Sequence, residues 1–321
     1  MQNLQAQVGA IPHNKRERQR FLRRVKKSWR MYVLLLLPLL YLFVFQYYPM
    51  FGVQIAFKQF DAVKGIWGSD WVGFAQFIKF FASSQFWRIV PNTVILSLYA
   101  LAAGFPLPIL LALTLNTVRN QHYKKLIQTV TYIPHFISVV VIVGILMSVF
   151  SPRSGVVGTM YSALTGNTLS DLFAKPTAFR HLYVWSGIWQ GMGWNSIIYM
   201  AALSGVDPEL HEAATIDGAS RFRRVWNIDL PMILPTAVIL LILNCGSIMS
   251  VGFEKIYLMQ NTLNLRASEV ISTYVYKVSM TAGGGDFSYG TAIGLFNSVI
   301  NMGMLVLVNA ISKRVTSSSL W

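Results

Sequence analysis

Residues 207–231 read DPELHEAATIDGASRFRRVWNIDLP and form a short polar segment between two long apolar stretches. Asp207 is suited to capping a helix, and Pro208 suits the first helical position, where a missing N–H costs nothing. Gly218 is suited to the left-handed conformation that ends such a helix, and Ser220 to capping a second one. The segment is therefore predicted to form two short helices joined at a glycine.

The first of these predicted helices carries residues that favour contact with another protein. Ala213 and Ala214 have side chains small enough to let a second surface approach the helix backbone closely. Glu212 offers a carboxylate for charge-assisted pairing. The alternative interpretation is a capped helical turn that only connects two membrane spans.

Composition sets the class of protein. Hydrophobic residues make up 54% of the 321 positions, charged residues only 12%, and the mean hydropathy is +0.48. A water-soluble domain of this length would not tolerate these values, so a polytopic membrane protein is predicted. Six stretches are long and apolar enough to cross a hydrocarbon layer of about 30 Å as helices. These predicted spans are approximately 31–49, 91–118, 127–150, 180–204, 231–251 and 290–311. The fold is therefore expected to be all-α with six transmembrane helices.

The basic residues predict the orientation of the chain in the membrane. Most lysines and arginines lie in the amino-terminal tail, in the connection after the second span, in residues 207–231 and near the carboxyl terminus. By the positive-inside rule, both termini and the polar segment face the cytoplasm. The net charge of +15 arises largely from a cluster, residues 15–30, that abuts the first span. It is expected to contact anionic lipid, not nucleic acid, because no base-reading motif accompanies it.

The ionisable residues also limit the source of energy. Four of the predicted spans contain long stretches without Asp, Glu, Lys or Arg, whereas ion-coupled carriers keep such residues inside the membrane. No G-x4-G-K-[ST] phosphate loop occurs in the sequence. A separate ATPase that binds ATP and Mg is therefore implied, and this chain is expected to bind no cofactor directly.

No enzymatic or metal site is predicted. The single cysteine, Cys245, has no partner for a disulfide or a metal. Acidic residues do cluster in residues 207–231, as a membrane-embedded glycosyl-transferring enzyme would require, but they lack the histidine or D-x-D spacing of such chemistry. We expect a protein without catalytic or metal-ligating residues.

The polar segment at 207–231 resembles a known motif, the EAA loop of bacterial ABC importer permeases. The defining positions are all filled, by Glu212, Ala213, Ala214, Gly218, Ile228, Leu230 and Pro231. In that family the loop is a cytoplasmic coupling helix that sits in a cleft of the ATP-binding subunit. The resemblance implies a type I ABC importer permease fold in the bacterial cytoplasmic membrane, with Asp217 also counted among the coupling residues.

A second resemblance covers most of the remaining chain. The run from Trp71 to Phe77, followed by Asn92 and Thr93, is similar to permeases of the maltose-type carbohydrate importers. The short connection before residue 90 resembles the oligosaccharide and polysaccharide branch, which includes alginate and pectin-fragment permeases. It implies three partners: an ATPase dimer, a second permease subunit and an extracytoplasmic solute-binding protein.

The resemblance also divides the chain into parts. These are a basic tail at 1–30, the first span and its external connection at 31–89, a permease core at 90–311 with the coupling loop at 205–231, and a tail at 312–321. With its coupling to ATP, the protein is expected to import an oligo- or polysaccharide.

Candidates for the substrate pathway combine aromatic rings, which stack on sugars, with amides, which bond hydroxyls. They are Trp185, Trp189, Gln190, Trp194, Asn195, Tyr199, Asn244 and Asn297. The alternative is that these residues anchor the helices at the bilayer surface or join helix to helix. A small excess of basic residues in the external segments favours an acidic saccharide. A neutral oligosaccharide, a glycerol-phosphate-type substrate and an ATP-independent channel or facilitator remain as alternatives.

Overall fold

The computed structural model describes residues 26–281, 285–315 and 319–320. Most of the predicted basic tail, residues 282–284 with two glycines of the run at 283–285, and part of the carboxyl-terminal tail lie outside the described residues. The chain divides into two compact units, Met1–Gln54 and Ile55–Trp321.

The first unit is built on helix α1 (Trp29–Leu42). It continues through a π turn (Phe43–Tyr47) and a 3₁₀ segment (Tyr48–Phe57), which together make one helix of 29 residues. None of the side chains of α1 is buried. A helix that is apolar all round and unburied is suited to contact with lipid.

The second unit is helical apart from one small hairpin. Strands β1 (Lys58–Gln59) and β2 (Asp70–Trp71) pair antiparallel, with Lys58 opposite Trp71. The helices before the polar segment are α2 (Gly65–Gly68), α3 (Ala75–Ala82), α4 (Phe86–Gly104), α5 (Pro106–Thr117), α6 (Gln121–Tyr132), α7 (Val139–Val149), α8 (Val156–Thr165) and α9 (Pro176–Ser204). Those that follow are α10 (Pro208–Ile216), α11 (Arg221–Arg224), α12 (Leu230–Cys245), α13 (Phe253–Met259), α14 (Leu265–Ser268), α15 (Ile271–Tyr276) and α16 (Phe287–Val315). The predicted all-α class is confirmed, with this hairpin as an addition.

The predicted count of six spans is only partly matched. Within the described part of the chain, four helices are long and apolar enough to cross a membrane: Trp29–Phe57, Phe86–Thr117, Arg221–Cys245 and Phe287–Arg314. The fourth predicted stretch, 180–204, forms α9, which has 29 residues but is not among the helices that qualify by composition. Its amides and its basic first turns lower its hydropathy, so a count of six does not follow from length and composition.

The stretch predicted as a single span at 127–150 is broken. Helix α6 continues as a 3₁₀ turn, Ile133–Phe136, and α7 leaves it at an angle of 101°. Pro134 lacks the N–H that would continue the α-helix. Ser138 then starts the next helix, because its Oγ accepts a hydrogen bond from the backbone N–H of Val141 at 3.3 Å.

Helix α9 lies at the centre of the second unit, where it packs against α4, α5, α6 and α12. Gly193 makes one of these contacts possible, since a Cβ at this position would lie 2.1 Å from the carbonyl oxygen of Thr131 in α6. The buried residues around α9 fall into two apolar clusters. The first is centred on Leu96, Val143, Val184 and Ile256, and the second on Leu113, Leu203 and Ile233.

A charged network joins α4 to the segment between α14 and α15. The Glu269 side chain is only 2% exposed and pairs with Arg88 and, at 3.6 Å, with Lys277. Asn92 in α4 donates hydrogen bonds to the carbonyl oxygens of Arg266 and Glu269 at 2.8 and 3.1 Å. A buried carboxylate with two cationic partners stabilises this junction only while all of its partners are present.

We expect Glu269→Ala to destabilise the protein by about 1.5–3 kcal/mol, because it removes the counter-charge of the Arg88 guanidinium, whose side chain is 35% exposed. The measurement is the thermal unfolding of the detergent-solubilised protein. Glu254→Ala, which removes an exposed carboxylate nearby, serves as the control. Equal melting temperatures for the two variants would contradict this role of Glu269.

Candidate functional site

The polar segment folds as its local signals predict. The Asp207 carboxylate accepts a hydrogen bond from the Glu209 N–H at 3.0 Å and begins α10. Gly218 has a φ of +77°, and the N–H groups of Gly218 and Ala219 bond to the carbonyls of Thr215 and Ala214 at 3.1 and 2.9 Å. These two bonds form the Schellman motif, in which a glycine ends a helix. The predicted caps are thus confirmed.

The second short helix is capped in the same way. Ser220 Oγ accepts a hydrogen bond from the Arg223 N–H at 3.3 Å and begins α11. A π turn, Val225–Asp229, then leads into α12. Pro231 occupies the first turn of α12, where its missing N–H costs nothing.

Helix α10 presents a free surface that mixes charge with apolar groups. Glu212, Ala213, Asp217 and Gly218 are exposed, whereas Ala214 is partly covered. Beside them the Ile216 side chain is 87% exposed. A surface of this kind is suited to a protein partner, because small residues permit close approach and the exposed isoleucine loses water on contact.

The other side of α10 is held by polar contacts. His211 Nε2 lies 3.2 Å from Asp229 Oδ1, and Asn116 at the end of α5 donates a hydrogen bond to the same oxygen at 3.2 Å. The Asp229 carboxylate is 2% exposed. Arg224 of α11 donates to Thr215 Oγ1 at 2.6 Å. The four residues His211, Asn116, Asp229 and Arg224, here called the brace, join α10 to the ends of α5 and α12.

The remaining residues predicted for coupling lie behind α10. Ile228 and Leu230 pack against the apolar cluster around Leu113, Leu203 and Ile233, and Pro231 is exposed at the start of α12. Ile228 and Leu230 therefore anchor the segment to the helix bundle, whereas Glu212 and its neighbours face outwards.

A large cavity lies between the helices of the second unit. It has a volume of about 1090 Å³, and its walls come from α4, α5, α9, α12 and α13. Five predicted pathway residues line it: Gln190, Trp194, Asn195, Tyr199 and Asn244. The structure thus brings together amides from two helices and aromatic rings in one space, the combination that sugars require.

Three predicted pathway residues do not line this cavity: Trp185, Trp189 and Asn297. Trp185 and Trp189 are half exposed on α9, and Trp185 Nε1 donates a hydrogen bond to the hydroxyl of Tyr99 at 2.9 Å. Asn297 lies in α16, where its buried Oδ1 has no hydrogen-bond partner among the described residues. Trp185 and Trp189 are four residues apart and share one face of α9. This face does not line the cavity.

Two of the cavity residues also hold α9 against the broken span. Gln190 Nε2 donates a hydrogen bond at 3.1 Å to the carbonyl of Ile137, which lies between the 3₁₀ turn and α7. The indole of Trp194 stacks on the His135 ring, with the centroids 4.5 Å apart and the planes at 2°. The break is thus supported by the same side chains that line the cavity.

Several residues that the structure brings to these sites belong to no sequence motif. His211 and Asn116 meet Asp229 only through the fold, so no local motif indicates them. Lys255 and Ser97 line the cavity. The one lysine of α13, between Glu254 and an apolar run, is a sequence signal for such a residue. No group of three or more His, Cys, Asp or Glu placed to hold a metal ion exists among the residues that the structure describes.

A multi-pass helical bundle with a central cavity and an exposed, capped helix at one end of it defines the class of membrane transport permeases. Residues 104–317 match the family described as binding-protein-dependent transport system inner membrane component. The chain belongs to this family.

Individual relatives extend the match to nearly the whole chain. Protein LplB of Bacillus subtilis (strain 168) is 43% identical over 92% of this chain and 92% of its own length. The polygalacturonan/rhamnogalacturonan transport system permease protein YteP of the same organism is 39% identical over 96% of this chain and 95% of its own.

A solved structure agrees with these relatives. It is a bacterial alginate ABC transporter in complex with an alginate pentasaccharide-bound periplasmic protein. The matching chain superimposes with a TM-score of 0.85 and 37% identity over 94% of this chain and all of that one. The resemblance to ABC importer permeases predicted from the sequence, and to the type I fold, is confirmed.

We expect His211→Ala to loosen α10, because it removes a hydrogen bond to a buried carboxylate. Hydrogen bonds of this kind contribute about 1.5 kcal/mol or more, so amide exchange in residues 209–216 is expected to become on the order of tenfold faster. Hydrogen–deuterium exchange with mass spectrometry measures this change. His122→Ala, at an exposed histidine of α6, is the matched control. Identical exchange in the two variants would contradict the role of His211 in holding α10.

Proposed function

We propose that this chain is one permease subunit of an ABC importer that moves an acidic oligosaccharide into the cytoplasm, driven by ATP. The observation that carries the proposal is the geometry of α10, a helix whose outer face is free and whose inner face is fixed to the bundle. A partner that pushes on Glu212 and Ile216 moves the ends of α5 and α12 with them.

The proposed mechanism is alternating access without covalent chemistry. Closure of an ATPase dimer on two ATP molecules, with their Mg ions, draws the coupling helices of the two permeases together and opens the bundle outwards. Hydrolysis then resets it. ATP shifts this equilibrium only by the difference in its affinity for the two arrangements, and α10 transmits that difference.

Each predicted coupling residue has a role in this proposal. Glu212 pairs with a cation of the ATPase, Ala213 and Ala214 let the two backbones approach, and Gly218 sets the bend after α10. Asp217 lies at the end of the same exposed face. Ile228, Leu230 and Pro231 pass the motion into the bundle.

The substrate class follows from the relatives and from the cavity. YteP is named for polygalacturonan and rhamnogalacturonan, and the solved transporter for alginate. Polygalacturonan and alginate consist of uronic acid units, each with a carboxylate. A cavity of about 1090 Å³ is at the upper end of the range for ligand pockets, which favours an oligosaccharide over a glycerol-phosphate-type substrate. A neutral oligosaccharide is the second candidate, because the amides of Gln190, Asn195 and Asn244 suit hydroxyl groups of any sugar.

The proposal includes three partners and one orientation. The ATPase dimer, a second permease subunit and an extracytoplasmic binding protein complete the importer, and the solved alginate transporter was crystallised with a binding protein of that type. Both termini and α10 face the cytoplasm, because the lysines and arginines concentrate on that side.

We expect Glu212→Trp and Gly218→Val to leave membrane insertion intact and to lower ATP-driven uptake by about tenfold or more. The tryptophan obstructs the docked surface. The valine strains a backbone with a φ of +77° although nothing lies within 4 Å of the added Cβ, and this costs about 1–2 kcal/mol. Uptake and ATP hydrolysis are measured together in proteoliposomes that contain the complete importer.

Asp70→Trp is the control for these variants, because Asp70 is an exposed carboxylate on the distant hairpin. It is expected to transport normally. Normal uptake by both coupling variants would contradict the proposal, and so would uptake by the unmodified importer without ATP, which is the behaviour of a channel.

A further inference from the structure

Lys255 is a buried lysine in the wall of the cavity. It lies in α13 and is 8% exposed, and no other charged residue is among those that line the cavity. It stands next to Gly187 of α9, where an added Cβ would lie 3.5 Å from the lysine Nζ. The ammonium group therefore adjoins the space between α9 and α13.

The ammonium group lacks the partners that a buried charge requires. Its Nζ donates one hydrogen bond, at 3.3 Å, to the carbonyl of Tyr183, and it lies 5.3 Å from the centroid of the Tyr183 ring. No carboxylate pairs with it in the described residues, and its neighbour Glu254 is exposed. A lysine ammonium has three donors, and a charge that is buried without a counter-charge is costly.

The other buried lysine shows how this fold satisfies a structural lysine. Lys58 is 3% exposed, and its Nζ donates to the carbonyls of Ile66 and Trp67 at 2.8 and 3.4 Å. It also lies 4.8 Å from the centroid of the Trp71 ring. Lys58 is thus held by three groups of the hairpin region, whereas Lys255 retains free donors at a cavity.

A second group in the wall is also incomplete. Ser97 of α4 lines the cavity and is 9% exposed, and its Oγ has no hydrogen-bond partner among the residues that the structure describes. Buried hydroxyl groups in folded proteins are normally bonded. A cation and a hydroxyl group in one cavity, both with unused hydrogen-bonding capacity, indicate a ligand that is an anion with oxygen acceptors.

Burial lowers the pKa of Lys255 to about 8. The side chain therefore still carries its positive charge in most molecules at neutral pH.

We infer that Lys255 is the residue that recognises the acidic group of the substrate, a uronate carboxylate, as the sugar passes through the cavity. The inference rests on the proposed function. It adds a single residue that distinguishes an acidic from a neutral oligosaccharide. Phosphate shares this anionic chemistry, but the cavity is large for a three-carbon phosphate, so the uronate oligomer is the expected source.

The test is uptake by proteoliposomes that contain the complete importer. The three probes are tetragalacturonate, the neutral tetrasaccharide obtained by reducing its carboxyl groups, and glycerol 3-phosphate. We expect Lys255→Gln to lower the ratio of acidic to neutral uptake by about tenfold or more, because a charge-assisted hydrogen bond is lost. Lys255→Arg, which keeps the charge, is expected to retain most of the preference.

Lys58→Gln is the matched control, since it removes a buried lysine outside the cavity. It is expected to reduce the amount of folded protein without changing the ratio. The inference is overturned if Lys255→Gln leaves the ratio unchanged, if Lys58→Gln changes it equally, or if glycerol 3-phosphate is the probe whose uptake depends on Lys255. Absence of ATP-dependent uptake of any saccharide by the unmodified importer would instead overturn the proposed function, and this inference with it.

Discussion

The exclusion of charge from hydrocarbon is the constraint on which the rest of this structure depends. An ionisable side chain inside a lipid layer is costly, and the spanning helices are accordingly almost free of such groups. The charged chemistry lies mainly at the helix ends and in the connections, above all in the polar segment with α10 and in the network of Arg88, Glu269 and Lys277. In the proposed function, energy reaches the bundle through contacts at its end, where the few charges of the spanning helices also lie.

Features that depend on neighbouring residues were predictable from the sequence. Asp207, Gly218 and Ser220 each act within a few residues of the chain, so the caps and the bend of the polar segment follow from residue type alone. The apolar stretches were located for the same reason. The ends of the helices were predicted less accurately. The first span was predicted to end at residue 49, whereas the helix continues as a 3₁₀ segment to Phe57.

Features that depend on distant contacts were not predictable in the same way. Pro134 and Ser138 are common in membrane helices that stay continuous, and the break of 101° is held by Gln190 of another helix. The rotation of α9 is set by the close approach of Gly193 to Thr131. With this rotation of α9, Trp194 and Asn195 line the cavity while Trp185 and Trp189 do not. The spacing of the aromatic residues in the sequence does not indicate how the helix is rotated.

In the proposed function, the brace around Asp229 determines whether a movement of α10 also moves α5 and α12. A helix attached only through a glycine bend would rotate relative to the bundle when a partner binds. Its movement would then not reach the other helices. Here one carboxylate oxygen is shared by the tip of α5 and by α10, immediately before α12 begins. The three elements are consequently joined at one carboxylate, and in the proposed function a displacement of α10 is passed through it to α5 and α12.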